Sequence, residues 1–278
     1  MGRIPPGAPQ LRDVPELTNA AVESARANPG IGCLIDRVYP GRPLLISFGF
    51  NDWNRVPNFE FFGRTKRLEA RFGIRFNRLL IRDVANAWYH RGVPGLGAHV
   101  DEVAATLRSL IRSIGPSEVI TIGQSMGGYA AIMFGMLLAT DRIVAFGPLS
   151  HLNPSEAILY GDRRFLPVME ALQADPPKSA YLDLPQLGEA LHYQGELHVI
   201  FGTHPGRDDG VSGNLDAIHA LRLARLPSVT LFPYPESDHP VVHWLIEHHQ
   251  IDDLLASRLV PDPPVNEPMP AASTAGTS

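Results

Sequence analysis

Apolar residues along this chain gather in short unbroken runs separated by longer amphipathic stretches. Residues 44–50, Leu-Leu-Ile-Ser-Phe-Gly-Phe, are apolar nearly throughout and stop at Asn51-Asp52, a pattern that predicts a buried strand. Residues 78–83, 119–122, 142–146, 197–201 and 229–232 predict further strands. Between the second and third, Val100, Val103, Leu107, Leu110 and Ile111 recur at helical spacing over 99–114, and Gly115-Pro116-Ser117 ends that helix. Residues 126–138 predict a helix that is apolar on almost every face and therefore central. Residues 214–225 predict another helix, and 240–259 a single long amphipathic one. Strands alternating with helices imply βαβ units, so the expected class is α/β, with a mostly parallel central sheet and helices on both faces.

The rhythm breaks over 149–195, where Pro154, Pro167, Pro176, Pro177 and Pro185 fall among mixed helical patches. This stretch is read as a small lid inserted in one domain that runs over 31–259. Residues 1–30 form an N-terminal extension, partly loose. The tail over 260–278, mostly Pro, Ala, Ser and Thr, has little to bury and is expected to be disordered.

A 44% hydrophobic and 19% charged composition excludes a disordered chain and a highly charged coiled coil. The formal charge of −5 argues against a nucleic-acid partner. The one cysteine, Cys33, has no second cysteine to pair with and reads as a small buried hydrophobe. No apolar signal segment opens the chain, and the best apolar run, 130–139, is about half a membrane span. The expectation is a soluble cytoplasmic protein with no transmembrane segment; its oligomeric state stays open.

The strongest chemical signal is Gly123-Gln124-Ser125-Met126-Gly127, a G-x-S-x-G pattern at the junction of an apolar strand and an apolar helix. A sharp strand-to-helix turn needs small residues two before and two after the serine, and Gly123 and Gly127 supply them. The turn lifts the serine hydroxyl above the sheet, and the helix N-terminus behind it favours developing negative charge.

On this motif and its setting, the chain over 31–259 resembles the α/β-hydrolase superfamily, in which nucleophile, acid and base follow in that order. The resemblance implies that Ser125 is the nucleophile. It makes His239, in Tyr234-Pro235-Glu236-Ser237-Asp238-His239-Pro240 between the last strand and the last helix, the base. His243 is a competitor one turn into the helix, with His248 and His249 further along. The acid belongs after the strand at 197–201, and the order of preference is Asp209, Asp208, Asp216. The first two lie in the glycine-rich loop 206–213, whereas Asp216 suits the first turn of the following helix. An oxyanion hole would take the backbone N–H of Met126 and, from the loop after residues 44–50, that of Phe50. Phe48 stands there in place of the family's histidine.

Other constellations point nowhere else. His239 and His243 are four apart, but no glutamate lies between them and Pro240 intervenes, so no metal is expected. No phosphate-cradling glycine signature stands at a strand–helix junction, and no cofactor is expected. Residues 64–82 carry seven basic side chains and one acidic, with Phe72 and Phe76 interleaved. An anionic ligand could use such a run, but a solvated amphipathic face is the expectation. Residues 58–62 and 81–89 are similar to segments of bacterial hydrolase-fold proteins with surface-polysaccharide or accessory-secretion functions, some of which handle acetyl groups. Trp88 and Tyr89 would wall a pocket or pack in the core; Tyr160, Phe165, Leu166 and Tyr181 are candidate pocket residues in the lid.

The function expected is a serine hydrolase that cleaves an ester-type bond of a small acyl substrate through an acyl-enzyme. The alternatives are acyl (acetyl) transfer to a carbohydrate or other hydroxyl, and a non-catalytic ligand- or partner-binding relative.

Overall fold

The computed structural model describes residues 10–36, 38–53, 56–174, 181–205 and 214–260. Its frame is a seven-stranded sheet ordered β1-β3-β2-β4-β5-β6-β7. β2 (Leu44–Phe48), β3 (Asn77–Ile81), β4 (Val119–Gln124), β5 (Arg142–Phe146), β6 (Glu196–Gly202) and β7 (Val229–Tyr234) run parallel. β1 (Cys33–Ile35) lies antiparallel to β3 at one edge. The strands predicted from residue 44 onward are all present, within one or two residues at most ends. β1, three residues long, was not foreseen.

Leu44, Ile46 and Phe48 of β2 face one helical layer and Leu45 the other, the alternation a doubly covered sheet requires. α3 (Val100–Ile114) and α4 (Met126–Leu138) cover the first face, and α9 (Val241–Glu247) and α10 (Ile251–Leu259) the second. α4 is buried on nearly every side. Gly135 lets it seat closely, since a methyl group there would lie 2.6 Å from Ile143 Cδ1. Chain order reverses between β2 and β4, the place where open α/β sheets form a ligand crevice at their strands' C-terminal ends.

The closing helix is two helices, not one. His249 takes φ 57° between α9 and α10. Six residues separate Leu245 from Ile251, which in a continuous helix turns a side chain by about 240°. The break resets the phase, so that Val241 and Leu245 of α9 and Ile251, Leu255 and Leu259 of α10 all reach the same core.

The basic run keeps its expected solvated face at Lys66, Arg67, Arg71 and Arg75, which are exposed, and departs from it at Arg78 and Arg82. α2 (Phe62–Phe72) lies against the acidic start of α10: Arg64 donates to Asp252 at 3.3 Å and Arg71 to Asp253 at 2.6 Å. Arg78 and Arg82 are wholly buried. Arg82 donates from Nε to the Ile31 carbonyl, from Nη1 to Pro57, and from Nη2 to Ala25 and Asn28, at 2.6–2.9 Å. It clips the end of β3 to α1 (Asn19–Ala27), a helix of the N-terminal extension that is capped by Thr18, whose Oγ1 accepts from the Ala21 amide. Cys33 is buried as expected, and burial pushes its thiol up to about 12.

Between β5 and β6 the chain forms α5 (Pro154–Tyr160), α6 (Leu166–Ala174) and α7 (Leu184–Leu191). Ala157, Met169, Leu172, Leu184 and Leu187 join the main core, so the insertion is anchored in the domain. The expected disordered tail lies outside the described residues, apart from its first residue. Among the described residues no helix is long and apolar enough to cross a membrane.

Arg82→Ala leaves four carbonyls without their donor and is expected to cost about 3–5 kcal/mol in urea unfolding. Limited proteolysis of that variant should cut first near residues 19–30.

Candidate active site

β4 ends at Gln124, and α4 begins two residues later at Met126. Ser125 makes the turn alone, at φ 52° and ψ −117°, a region an L-residue enters only when its surroundings force it. The Ser125 amide donates to the Phe146 carbonyl at 2.8 Å, and its own carbonyl accepts from Tyr129 at 2.9 Å. A methyl group on Gly123 would overlap the Gly127 backbone, and one on Gly127 would overlap the Phe48 carbonyl. The two glycines therefore let strand, helix and the end of β2 meet at one point.

Three side chains converge above that turn. His239 Nε2 lies 3.0 Å from Ser125 Oγ. On the other side of the ring, Nδ1 lies 2.8 Å from Asp216 Oδ2 and 3.0 Å from Oδ1. A carboxylate can only accept, so Nδ1 carries the proton and Nε2 turns its lone pair to the serine hydroxyl. His239 precedes α9, and Asp216 is the first residue of α8 (Asp216–Leu223) and fully buried. The Asn214 side chain steadies the entry to that helix by accepting from the Asp216 amide at 3.1 Å. Gly147, at φ +50°, leaves room behind the pair: a methyl there would sit 2.9 Å from Asp216 Oδ2.

The carboxylate that meets His239 is Asp216, the third choice of the sequence. Asp208 and Asp209 lie outside the described residues. Asp216 does occupy the first helical turn as expected, and that same position aims it at the histidine. His243 instead pairs with Glu247 on the solvent side at 3.0 Å, and His248 stacks on Trp244.

Phe50 follows β2, two residues beyond the Phe48–Gly123 pair and next to Gly49, whose carbonyl abuts Gly127. Neither the Phe50 nor the Met126 amide has a hydrogen-bond acceptor among the described residues. The loop bearing Phe50 is held from β3's side. Tyr89 Oη donates to the Gly49 carbonyl at 2.8 Å, and the Asn86 amide group both accepts from the Asp52 N–H and donates to the Asp52 carbonyl. Asn86, Trp88 and Tyr89 all take positive φ. The buried Asp83 carboxylate sustains that path by accepting from the amides of Ala85, Ala87 and Tyr89 at 2.7–2.9 Å. Tyr89 is core. Trp88 is also fully buried, against Phe165 from the insertion, with centroids 4.8 Å apart. Trp53, 6.5 Å from Trp88, stays 56% exposed and Phe50 37% exposed. Tyr181 donates to Asp101, and Tyr160 lies near His151.

Sequence reasoning missed Arg164, between α5 and α6, which donates from Nη1 to Asp216 Oδ1 at 3.1 Å. Its one sequence signal is the close charge pair Asp162-x-Arg164 inside a proline-rich insertion. Among the described residues no group of three His, Cys, Asp or Glu side chains could hold a metal ion.

No family model and no curated protein matches the chain in sequence. Solved structures do match in shape. The capsule O-acetyltransferase of Neisseria meningitidis serogroup A aligns at 14% identity over 80% of this chain and 91% of its own, with a TM-score of 0.51. An S-formylglutathione hydrolase from Agrobacterium tumefaciens aligns at 17% identity over 79% and 85%, TM-score 0.51. A fluorophosphonate-binding serine hydrolase of Staphylococcus aureus aligns at 15% identity over 79% and 85%, TM-score 0.52. The chain has the α/β-hydrolase fold.

The Nδ1–H to Asp216 bond should give a far-downfield proton resonance. It is expected to vanish in Asp216→Asn and to move upfield in Gly147→Ala, whose methyl group separates the pair, while Asp209→Asn leaves it in place.

Proposed function

We propose that this protein is a serine hydrolase of ester-type bonds working through an acyl-enzyme. The observation that carries the reading is the continuous hydrogen-bond chain Ser125–His239–Asp216, with its serine on a forced turn at the crevice of the sheet. Ser125 Oγ attacks the acyl carbonyl as His239 Nε2 takes its proton, and the buried Asp216 carboxylate stabilises the imidazolium that forms. The carbonyl oxygen becomes an oxyanion against the Phe50 and Met126 amides, each worth about 3 kcal/mol if well aimed. His239 returns the proton to the departing alkoxide. Water, deprotonated by the same nitrogen, then attacks the acyl-enzyme and releases the acid and free Ser125.

Acyl transfer to a hydroxyl acceptor is the second reading, and the exposed aromatic faces of Phe50 and Trp53, in the loop that follows β2, favour it. Such faces suit the apolar side of a sugar ring. The O-acetyltransferase among the structural neighbours supports this direction only by its fold. In that reading an acceptor hydroxyl replaces water in the second half-reaction, and every protein group keeps its role. A purely binding relative has no use for so aligned a set of groups.

A fluorophosphonate probe should label the wild-type protein and fail to label Ser125→Ala. His239→Gln and Asp216→Asn are expected to slow labelling by roughly 10²–10⁴-fold. A folded wild-type protein that resists the probe would sink the proposal. Hydrolysis and transfer separate on products: an acetyl ester incubated with a sugar acceptor yields only acetate in the first case and acetylated sugar in the second.

A further inference from the structure

Behind the site lies a buried ionic chain that the hydrolytic reading leaves unused. Arg164 donates to Asp216 through Nη1, and to Asp162 through Nε at 2.9 Å and Nη2 at 2.7 Å. Asp162 in turn faces His219 Nε2 at 3.2 Å. His219 lies one turn along α8 from Asp216, so two residues on one helical face meet two residues of the α5–α6 connection. The Ser150 amide donates to His219 Nδ1 at 3.1 Å, which places the imidazole proton on Nε2, toward Asp162. Burial pushes the pKa of His219 down, so it is neutral there. Burial alone would lift the Asp162 carboxyl, but the His219 and Arg164 hydrogen bonds outweigh it and hold it below the usual carboxylate range. Asp162 is thus a fixed negative charge, and it holds the guanidinium in place.

We infer that Arg164 is a positioning residue: delivered by the inserted segment, it holds the Asp216 carboxylate against His239 and shares that carboxylate's negative charge. The role rests on the hydrolytic reading for its use, though not for its measurement. A carboxylate facing the imidazole alone would stabilise imidazolium fully. With a guanidinium on Oδ1, part of that field is cancelled. Docking of the insertion and completion of the site then become one event, because the segment that packs Ala157, Met169 and Leu172 into the core also brings the cation to its acid.

The groups facing the pair bound the effect. Ser125 approaches from the β4–α4 turn, and Gly147 at the end of β5 brings no charge. Arg164 and, behind it, Asp162 come from the insertion, and His219 from α8 itself. Asp238 adjoins His239 in the chain. Arg164 is the cation in contact with Asp216 among the described residues.

The test is an NMR titration of the His239 imidazole, assigned by comparison with His239→Gln, in the wild type, Arg164→Gln, Arg164→Lys and Asp162→Asn. Removing the guanidinium in Arg164→Gln should raise the midpoint by about one pH unit. Arg164→Lys should keep it near wild type. Asp162→Asn, which leaves the guanidinium charge less neutralised, should lower it. In turnover the same shifts should appear in the acid limb of kcat/KM. A purely structural arginine would lower stability and leave the midpoint unmoved, and that result in folded Arg164→Gln overturns the inference. Should that variant not fold, an unchanged or raised midpoint in Asp162→Asn overturns it. The titration needs no turnover, so a protein that never labels with the probe but shows these shifts would fail the hydrolytic reading and keep this one.

Discussion

Everything at the site depends on one backbone contact, the closure of Gly123 onto Gly127 against the end of β2. Neither glycine can carry a side chain, because each faces main-chain atoms within van der Waals distance. That closure forces Ser125 to φ 52° at a cost of about 1–3 kcal/mol. The offset comes from α4, whose large apolar side chains contribute about 1.5–3 kcal/mol each when fully buried. A helix apolar on every face is what allows the turn to be this tight. The same contact sets the end of β2, at Phe48 and Gly49, against the first turn of α4.

Around that fixed point the sheet and the insertion contribute different things. The sheet supplies rigid attachments: Ser125 after β4, Gly147 after β5 and His239 after β7. The insertion supplies what an α/β sheet lacks, namely a buried cation for the acid and an aromatic face, Phe165, for Trp88. A strained path from Asn86 to Tyr89, held by the Asp83 carboxylate, fixes the loop that bears Phe50.

Two arginines each tie distant segments of the chain together. Arg82 spends its donors on four carbonyls, and Arg164 bridges two carboxylates. What looks in sequence like a basic stripe at 64–82 becomes a clasp between α2, α10 and β3.

The sequence by itself determined the alternation of strands and helices, the central apolar helix, the serine turn and the histidine after the last strand. Each is a local signal: periodicity, a run of apolar residues, two glycines at fixed spacing. What only the tertiary structure decided was every question of which distant charge meets which. Three aspartates fall within the nine residues 208–216 after β6, and nothing local marks Asp216 above Asp208 and Asp209. Its claim comes from the direction of α8's first turn, the space left by Gly147 and the arrival of Arg164 from 52 residues away. The break between α9 and α10 was hidden for a related reason, since its cause is the core that both helices must reach. Local pattern fixes where an element starts and which face is apolar; the partners of a buried charge depend on how remote segments close together.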